Sequence, residues 1–337
     1  MLASNERPTD LGFREQPRPE NHVLTKAEIT LSVVVPLYNE ELVINEMHRR
    51  LSAVLSKCVD SYEIVMVNDG SMDRTVELAR EICRADKSVR LVNLSRNFGH
   101  QLAITAGMDR TRGRCVVVID ADLQDPPEVI PQMLEKWREG AHVVYGVRAK
   151  RKGESWFKKI TAKFFYRALR RMTAVQIPVD TGDFRLLDRR VLGEFLKMRE
   201  HARFVRGMVS WVGFRQAQVV FEREERFAGE TKYPFKKMVK FAIDGVLSFS
   251  QVPLKVASAF GFVSAAVSFC FMVYGLVQKS MFPETVVPGW ASTFSAILFI
   301  GGVQLICLGI LGEYVGRIYE EVKKRPLYIV QEEINFD

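Results

Sequence analysis

The segment that most restricts the fold of this chain is a run of β-branched residues that ends in carboxylates. Residues 116–119 are all Val or Ile, and Asp120, Asp122 and Asp125 follow directly, before a double proline. Such a run is typical of a strand that is buried on both faces, as in a parallel sheet. Ligands of open α/β folds lie at the carboxyl ends of the strands, so we expect a binding site here. The alternative interpretation is an ordinary acidic turn after a strand.

The spacing of the first two carboxylates indicates a cation. Asp120 and Asp122 are two positions apart, and alternate residues of an extended segment point to the same side. Two carboxylates that lie close together repel each other unless a positive charge separates them. Mg²⁺ is commonly held by one or two carboxylates together with substrate phosphates. The sequence therefore predicts a divalent cation at this strand end.

Two earlier apolar runs, residues 31–37 and 62–67, also end in polar residues. The polar residues that follow them are Tyr38, Asn39, Glu40, Asn68 and Asp69. Segments with helical spacing separate the runs, and this alternation predicts a mostly parallel sheet covered by helices. The chain has neither a Gly-x-Gly-x-x-Gly after the first strand nor a P-loop, which argues against a dinucleotide dehydrogenase and a P-loop NTPase. A nucleotide can still bind to polar residues at the ends of the strands, with Asp69 accepting a hydrogen bond from a base and Glu40 binding ribose hydroxyls.

Taken in order, these motifs resemble those of the inverting nucleotide-sugar glycosyltransferases with a GT-A fold. The stretches that carry the resemblance are residues 35–40, 67–71 and 120–127. Residues 95–100 and 181–189 narrow it to the polyprenyl-phosphate glycosyltransferases of family 2, a branch that includes dolichol-phosphate mannose synthase and bacterial undecaprenyl-phosphate glucosyltransferases. The resemblance extends over roughly residues 31–330.

The resemblance implies roles for the matched residues. The metal, Mg²⁺ or Mn²⁺, would be held by Asp120, Asp122 and Gln124. The catalytic group would comprise Asp183, as a base or an orienting group, with Arg148 and Arg185. The acceptor phosphate would be bound by Arg148, Lys159 and Thr161. The donor would be bound by Pro36, Tyr38, Asn39, Glu40, Asp69, Asp120, Arg226 and Lys232, and His100 would support the site from behind.

The second half of the chain contains two long apolar segments, residues 256–277 and 292–311, each about the ~20 residues that a membrane helix needs. Both are rich in Gly, Ala and Ser, which suits close helix packing in lipid. Basic residues flank the pair on its outer sides, whereas the connecting loop carries Lys279 and Glu284, so both termini are predicted to be cytoplasmic. The alternative is a buried core hairpin.

Composition supports a membrane partner. The net charge is +8 and the pI about 9.2, yet no nucleic-acid motif is present, so anionic lipid and phosphate ligands are the expected partners. Residues 233–251 alternate lysines with apolar residues, which predicts an amphipathic helix at the headgroups or, alternatively, a plain surface helix. The five cysteines show no C-x-x-C spacing and are interpreted as reduced.

The predicted organisation therefore has five parts. They are a disordered tail without a signal peptide (1–29), a GT-A α/β domain (30–230), interfacial helices (231–252), a two-helix transmembrane hairpin (253–316) and a cytoplasmic tail (317–337). The predicted location is the plasma membrane.

The predicted function is transfer of one sugar, with inversion, from a nucleotide diphosphate sugar to polyprenyl phosphate at the cytoplasmic membrane face. A UDP-sugar, UDP-glucose or UDP-GlcNAc, is the favoured donor. By resemblance the partners would include further copies in a homotetramer, a flippase and a downstream periplasmic transferase. The alternatives are a GDP-mannose-dependent enzyme, a processive polysaccharide synthase and a non-catalytic membrane scaffold. Two spans and the absence of Q-x-x-R-W argue against the synthase.

Overall fold

The computed structural model describes residues 29–149, 181–223, 252–281 and 290–336 of the chain. The strands are β1 (Leu31–Leu37), β2 (Tyr62–Asn68), β3 (Val89–Leu94), β4 (Cys115–Val118), β5 (Val143–Arg148), β6 (Thr181–Asp188), β7 (Gln216–Phe221) and β8 (Val330–Ile334). The helices are α1 (Ile44–Cys58), α2 (Thr75–Ala85), α3 (His100–Arg110), α4 (Ile130–Arg138), α5 (Arg189–Lys197), α6 (Val205–Val212), α7 (Val252–Met281) and α8 (Trp290–Val322). A 3₁₀ turn, Pro127–Val129, precedes α4.

The described strands form one sheet in the order β7-β5-β6-β4-β1-β2-β3-β8. Its centre is parallel, because β1 pairs with β2 and with β4, and β2 pairs with β3. Strand β6 runs antiparallel to β4 and β5, and β8 runs antiparallel to β3. The mostly parallel sheet predicted from the apolar runs is therefore confirmed.

Both faces of the sheet are buried by helices, which explains why β1 is apolar along most of its length. Val33 and Val35 belong to the hydrophobic cluster that includes α1, α2 and α4. Val34 belongs to the opposite cluster, with α3, α5 and α6. Since the central strands are parallel, the residues that follow β1, β2 and β4 lie at the same edge of the sheet, which we call the carboxyl edge.

The C-terminal end differs from the predicted cytoplasmic tail. Helix α8 continues to Val322, beyond the predicted hairpin end at residue 316, and Val330–Ile334 then returns to the sheet as β8. Ion pairs of Glu332 with Arg80 and of Glu333 with Arg110 fix it there. The predicted tail is thus partly a strand of the α/β domain, and that domain does not end at residue 230. The short run of β8 alternates half-buried and exposed residues, so its sequence carried little strand signal.

Helices α7 and α8 lie side by side, with Cys307 Sγ 3.3 Å from the carbonyl oxygen of Ala257. Among the described residues, Phe299–Val322 is long and apolar enough to cross a membrane, with a mean hydropathy of 1.6 and none of it buried, and Pro253–Val267 is a shorter apolar stretch. The predicted disordered tail up to residue 28 and the predicted interfacial segment 231–251 lie outside the described residues.

Helix α3 packs closely against the central strands through Gly107. A Cβ at this position would lie 2.4 Å from Val34 Cγ1 and 2.9 Å from Val67 Cγ2, two side chains that are stiff because they are β-branched. We expect Gly107→Ala to lower the free energy of unfolding by about 1–3 kcal/mol through overpacking. The measurement is denaturant unfolding of the full-length protein in detergent.

Gly193→Ala in α5 is the matched control, because no atom lies within 4 Å of its added Cβ. It should raise stability by up to about 1 kcal/mol through helix propensity. Equal effects of the two substitutions would contradict the close approach of α3 to β1.

Candidate active site

Three elements bring the chemistry-bearing residues together at the carboxyl edge. Asp120 follows β4, and Asp183 lies near the start of β6, whose Arg185 is the register partner of Val118 in β4. His100 is the first residue of α3, and its Nε2 lies 3.2 Å from Asp183 Oδ2 and 3.4 Å from Asp120 Oδ1. The carboxylates that the sequence placed far apart are thus bridged by one imidazole.

Asp183 is a buried carboxylate, 4% exposed, with donors on both of its oxygens. Gln101 Nε2 donates to Oδ2 at 3.1 Å. Arg206 donates from Nε to Oδ1 at 3.0 Å and from Nη2 to Oδ2 at 3.4 Å. Burial alone would raise the pKa of Asp183, but Arg206, His100 and Arg185 outweigh it and hold that pKa well below its usual range. Asp183 is therefore an anion that the protein holds in one orientation.

The pKa values of His100 and Asp120 are shifted by the same surroundings. Burial would lower the pKa of His100, yet Asp120 and Asp183 raise it to about 9, so the ring is cationic at neutral pH. Burial raises the pKa of Asp120 to about 6, His100 opposes this, and the charges of Asp183, Asp125 and Asp122 add to it. His100 therefore does not fully compensate the burial of Asp120 and the charges of its neighbouring carboxylates.

Asp120 shows whether a divalent cation fits at this edge. Asp120 Oδ1 is buried, and no hydrogen bond reaches it from the part of the chain that the structure describes. Within the same ranges, no group of three or more His, Cys, Asp or Glu side chains could enclose a metal ion. Mg²⁺ sites with one or two carboxylates plus substrate phosphates need no such group, so the residues present fit a cation that is bound together with a phosphate ligand.

The predicted metal ligands lie in a turn after β4, and not in the extended segment from which their common side was predicted. Ala121, Leu123 and Asp125 are buried, whereas the residues that alternate with them are half-buried: Asp120, Asp122 and Gln124. Leu123 has a φ of 59°, in the left-handed region, and Asp122 Oδ1 accepts from the Gln124 N–H at 3.1 Å. A tight turn of the main chain thus fixes this segment beside β4.

Arg148 and Arg185 support the acidic residues. Arg148, at the end of β5, donates from Nη2 to both oxygens of Asp125, at 3.3 and 3.2 Å. A Cβ on Gly182 would lie 2.8 Å from that nitrogen, so the pair depends on the glycine. Arg185 is buried and donates to the carbonyl oxygens of Gly182 and Asp183, at 2.9 and 3.3 Å. It stabilises the backbone that presents Asp183.

The residues predicted to bind the donor lie where β1 and β2 end. Pro36 is buried inside β1, whereas Tyr38 is exposed. The Asn39 N–H donates to Ser71 Oγ at 3.0 Å, and the Glu40 N–H donates to Thr75 Oγ1 at 2.8 Å. The loops after the two strands are thereby joined into one wall of the carboxyl edge.

Asp69 is used inside the protein. It is 3% exposed, and its oxygens accept from the N–H groups of Phe98 and Gly99, at 2.7 and 2.9 Å. Burial raises its pKa, and the two N–H groups partly offset that rise. Because α3 and His100 begin directly after this turn, Asp69 helps to place His100.

The comparisons with known proteins identify the family. Residues 32–196 match the model of glycosyl transferase family 2, and residues 252–318 match that of the GtrB C-terminal hairpin. The uncharacterized glycosyltransferase YkcC of Bacillus subtilis (strain 168) is 54% identical over 303 residues, which are 90% of this chain and 94% of that protein. This chain belongs to glycosyltransferase family 2.

Two further relatives carry more specific names. The prophage bactoprenol glucosyl transferase homolog of Escherichia coli (strain K12) is 38% identical over 89% of this chain and 98% of that protein. The SfII prophage-derived bactoprenol glucosyl transferase of Shigella flexneri is 39% identical over 89% of this chain and 97% of that protein. The family, the GT-A type of fold and the C-terminal hairpin predicted from the motifs are confirmed, and the hairpin associates this glycosyltransferase with a membrane.

Sequence reasoning missed two side chains of the glycosyltransferase site, Gln101 and Arg206. Gln101 directly follows the motif at residues 95–100, and this position is only a weak signal of a site residue. Arg206 lies in no motif, and only the packing of α6 brings it to Asp183. Four predicted ligands lie outside the described residues: Lys159, Thr161, Arg226 and Lys232.

The internal role of Asp69 can be tested by a substitution that keeps the size of the side chain and removes one acceptor oxygen. Asp69→Asn replaces one acceptor oxygen by an NH₂ group, which cannot accept from Phe98 or Gly99. We expect a loss of about 1–3 kcal/mol in the free energy of unfolding, because a buried N–H is left without a partner.

Denaturant unfolding of the full-length glycosyltransferase measures the loss, and Asp60→Asn at an exposed position is the control. If Asp69→Asn is as stable as Asp60→Asn, Asp69 does not hold the turn before His100.

Proposed function

We propose that this glycosyltransferase transfers one sugar, with inversion, to polyprenyl phosphate at the cytoplasmic face of the plasma membrane. The favoured donor is UDP-glucose. The observation that carries the proposal is the extent of the likeness to the bactoprenol glucosyl transferases. It spans 89% of this chain, so the likeness extends over both the α/β domain and the hairpin. UDP-GlcNAc and GDP-mannose are the alternative donors.

The chemistry of the acceptor reduces the need for a base. A phosphate monoester has its second pKa near ~6, so the acceptor is largely a dianion at cytosolic pH and attacks without losing a proton first. Asp183, whose pKa is held well below its usual range, is poorly suited to take up a proton. Its role in the proposal is to orient His100 and Arg206 toward the reacting groups.

The incompletely compensated charge of Asp120 suggests a role for the predicted metal ligands. Asp120, Asp122 and Gln124 are the residues that would hold Mg²⁺ or Mn²⁺, whose chemistry there is neutralisation of the charge on the leaving diphosphate. Arg148 is placed by Asp125 to add a positive charge near the same edge, where donor and acceptor phosphates would otherwise repel each other.

The topology supports two membrane crossings. Strand β8 follows α8 in the chain, yet it pairs with β3, which precedes α7. The segments on both sides of the hairpin therefore belong to one sheet and lie on the same side of a membrane, which requires an even number of crossings. With the basic flanks of the hairpin, this supports a multi-pass protein with both termini in the cytoplasm. The homotetramer, the flippase and the downstream transferase stay predictions.

The test of this function is a panel of radiolabelled nucleotide sugars with undecaprenyl phosphate and the purified full-length protein. We expect UDP-glucose to label the lipid in the presence of Mg²⁺ or Mn²⁺. Asp122→Asn should lower that transfer on the order of 100-fold, as when one group that stabilises transition-state charge is removed. Labelling with GDP-mannose alone would transfer the assignment to a mannosyltransferase.

The control for Asp122→Asn is Glu135→Gln, which removes an exposed carboxylate from α4 and should leave transfer unchanged. If no donor labels the lipid, the proposed function is wrong. Wild-type activity of Asp122→Asn in Mg²⁺ would remove Asp122 from the metal ligands.

The role of Asp183 is separable by its pH dependence. We expect Asp183→Ala to lower kcat far more than it weakens UDP binding, because an interaction made in the transition state acts on turnover. The loss should not recover from about pH 6 to about pH 9, since the acceptor is already a dianion over most of that range and the substitution also removes a carboxylate that raises the pKa of His100. Asp183→Asn, which keeps an acceptor oxygen for Arg206, should lose less activity than Asp183→Ala.

The measurement is a pH profile of kcat for both variants beside the wild type, with calorimetric titration of UDP. Recovery of Asp183→Ala toward alkaline pH would contradict the orienting role and make Asp183 the proton acceptor.

A further inference from the structure

The segment between α5 and α6, residues 198–204, contacts the end of the membrane helix α8 through His201. The His201 backbone N–H donates to Glu321 Oε1 at 2.7 Å. The ring places Nδ1 3.2 Å from Glu321 Oε2 and Nε2 2.8 Å from the carbonyl oxygen of Arg325. Three contacts thus join one residue of the α/β domain to the last turn of α8 and the residues just after it.

A second contact reinforces this connection. Arg199 Nη1 lies 2.9 and 3.0 Å from the two carboxylate oxygens of Asp109. The hydroxyl of Tyr328, in the stretch between α8 and β8, donates to the same carboxylate. Segment 198–204 is therefore held both to the end of α8 and to the chain that leads from α8 into the sheet.

The same segment leads directly into the residues that hold Asp183. The N–H of Val205, the first residue of α6, donates to Gln101 Oε1 at 3.0 Å, and Gln101 donates in turn to Asp183. Arg206, the next residue, makes the two-pronged contact with Asp183. A shift of segment 198–204 would therefore move two of the donors on this carboxylate.

The segment is built to transmit such a shift. Arg203 is 7% exposed and lies over the ring of Phe195, with its guanidinium carbon 4.9 Å from the ring centre. Its Nη1 donates to the carbonyl oxygen of Met198 at 2.5 Å. The backbone N–H of Arg203 donates to the carbonyl oxygen of His201 at 2.9 Å. These hydrogen bonds connect His201 to the two ends of the segment that leads from α5 into α6.

We propose that His201 is a positioning residue: through Glu321 and Arg325 it sets α6 relative to the cytoplasmic end of α8, and so keeps Arg206 on Asp183. This inference rests on the proposed function, in which the acceptor phosphate reaches the carboxyl edge from the membrane surface. The depth of that phosphate is set by the bilayer, whereas Arg206 on Asp183 is positioned relative to α8 through His201. A misplacement of about 1 Å between reacting groups can cost up to about 100-fold in rate, so the two positions must agree.

The test compares two neighbouring glutamates of α8. Glu321→Ala removes the acceptor of His201, whereas Glu320→Ala removes the same charge from a residue whose ion pair is with Lys323, just after the end of α8. In the full-length protein in detergent, we expect Glu321→Ala to lower kcat for lipid glycosylation about tenfold, with donor KM and UDP affinity within about twofold of wild type. Glu320→Ala should match the wild type.

A double-mutant cycle separates positioning from a general loss of structure. Effects of distant, independent substitutions combine additively in free energy, that is, multiplicatively in rate. If His201 acts through Arg206, then Glu321→Ala should lower kcat much less in an Arg206→Lys background than in the wild type. Full multiplication of the two losses would overturn the proposal.

Thermal unfolding shows whether Glu321→Ala remains folded. Should it be unstable, Glu321→Gln takes its place, because it keeps one acceptor oxygen for the His201 N–H and loses the charge and the second acceptor oxygen, which faces the ring; a smaller drop in kcat is expected. Equal kcat values for the Glu321 and Glu320 variants would overturn the positioning role while sugar transfer by the wild type stands. Absence of transfer by the wild type would overturn both.

Discussion

The candidate site depends on keeping one carboxylate ionised inside the protein. Burying an unpaired ion costs several kcal/mol, and Asp183 is 4% exposed. Its charge is balanced by Arg206 and His100, and by Gln101 as a neutral donor, which come from the first turns of α6 and α3. The first turns of α3 and α6 must therefore both lie beside β6 if the buried charge of Asp183 is to be stable. The geometry of the carboxyl edge follows from that requirement.

Compensation is complete around Asp183 and incomplete a few ångströms away. His100 is the cation that Asp120 shares with Asp183, and its pKa rises to about 9 because it faces both. The pKa of Asp120 rises to about 6, because burial and three further carboxylates outweigh that one ring. Strongly shifted pKa values of this kind cluster at functional sites. The incompletely compensated carboxylate, Asp120, follows β4, and the compensated one, Asp183, belongs to β6.

The sequence predicted the features that depend on local pattern and not those that depend on approach in space. The apolar runs predicted the parallel centre of the sheet, whereas the extended course expected for Asp120 to Asp122 is replaced by a turn after β4. Strand β8 was missed because half-buried alternation over a few residues resembles a surface segment. Arg206 was missed because nothing in its neighbourhood along the chain differs from a surface helix, and its role exists only once α6 packs beside α3 and β6.

Strand β8 also changes how the domain and the hairpin relate to each other. The motifs of the carboxyl edge all precede α7, which suggests a soluble domain with a detachable membrane anchor. The chain after α8 nevertheless supplies the strand that covers the edge of β3, with Glu332 and Glu333 paired to Arg80 and Arg110. An uncovered edge strand exposes main-chain groups to pairing with other molecules. The hairpin is therefore an insertion between strands of one sheet, and the α/β domain is complete only with the strand that follows the hairpin.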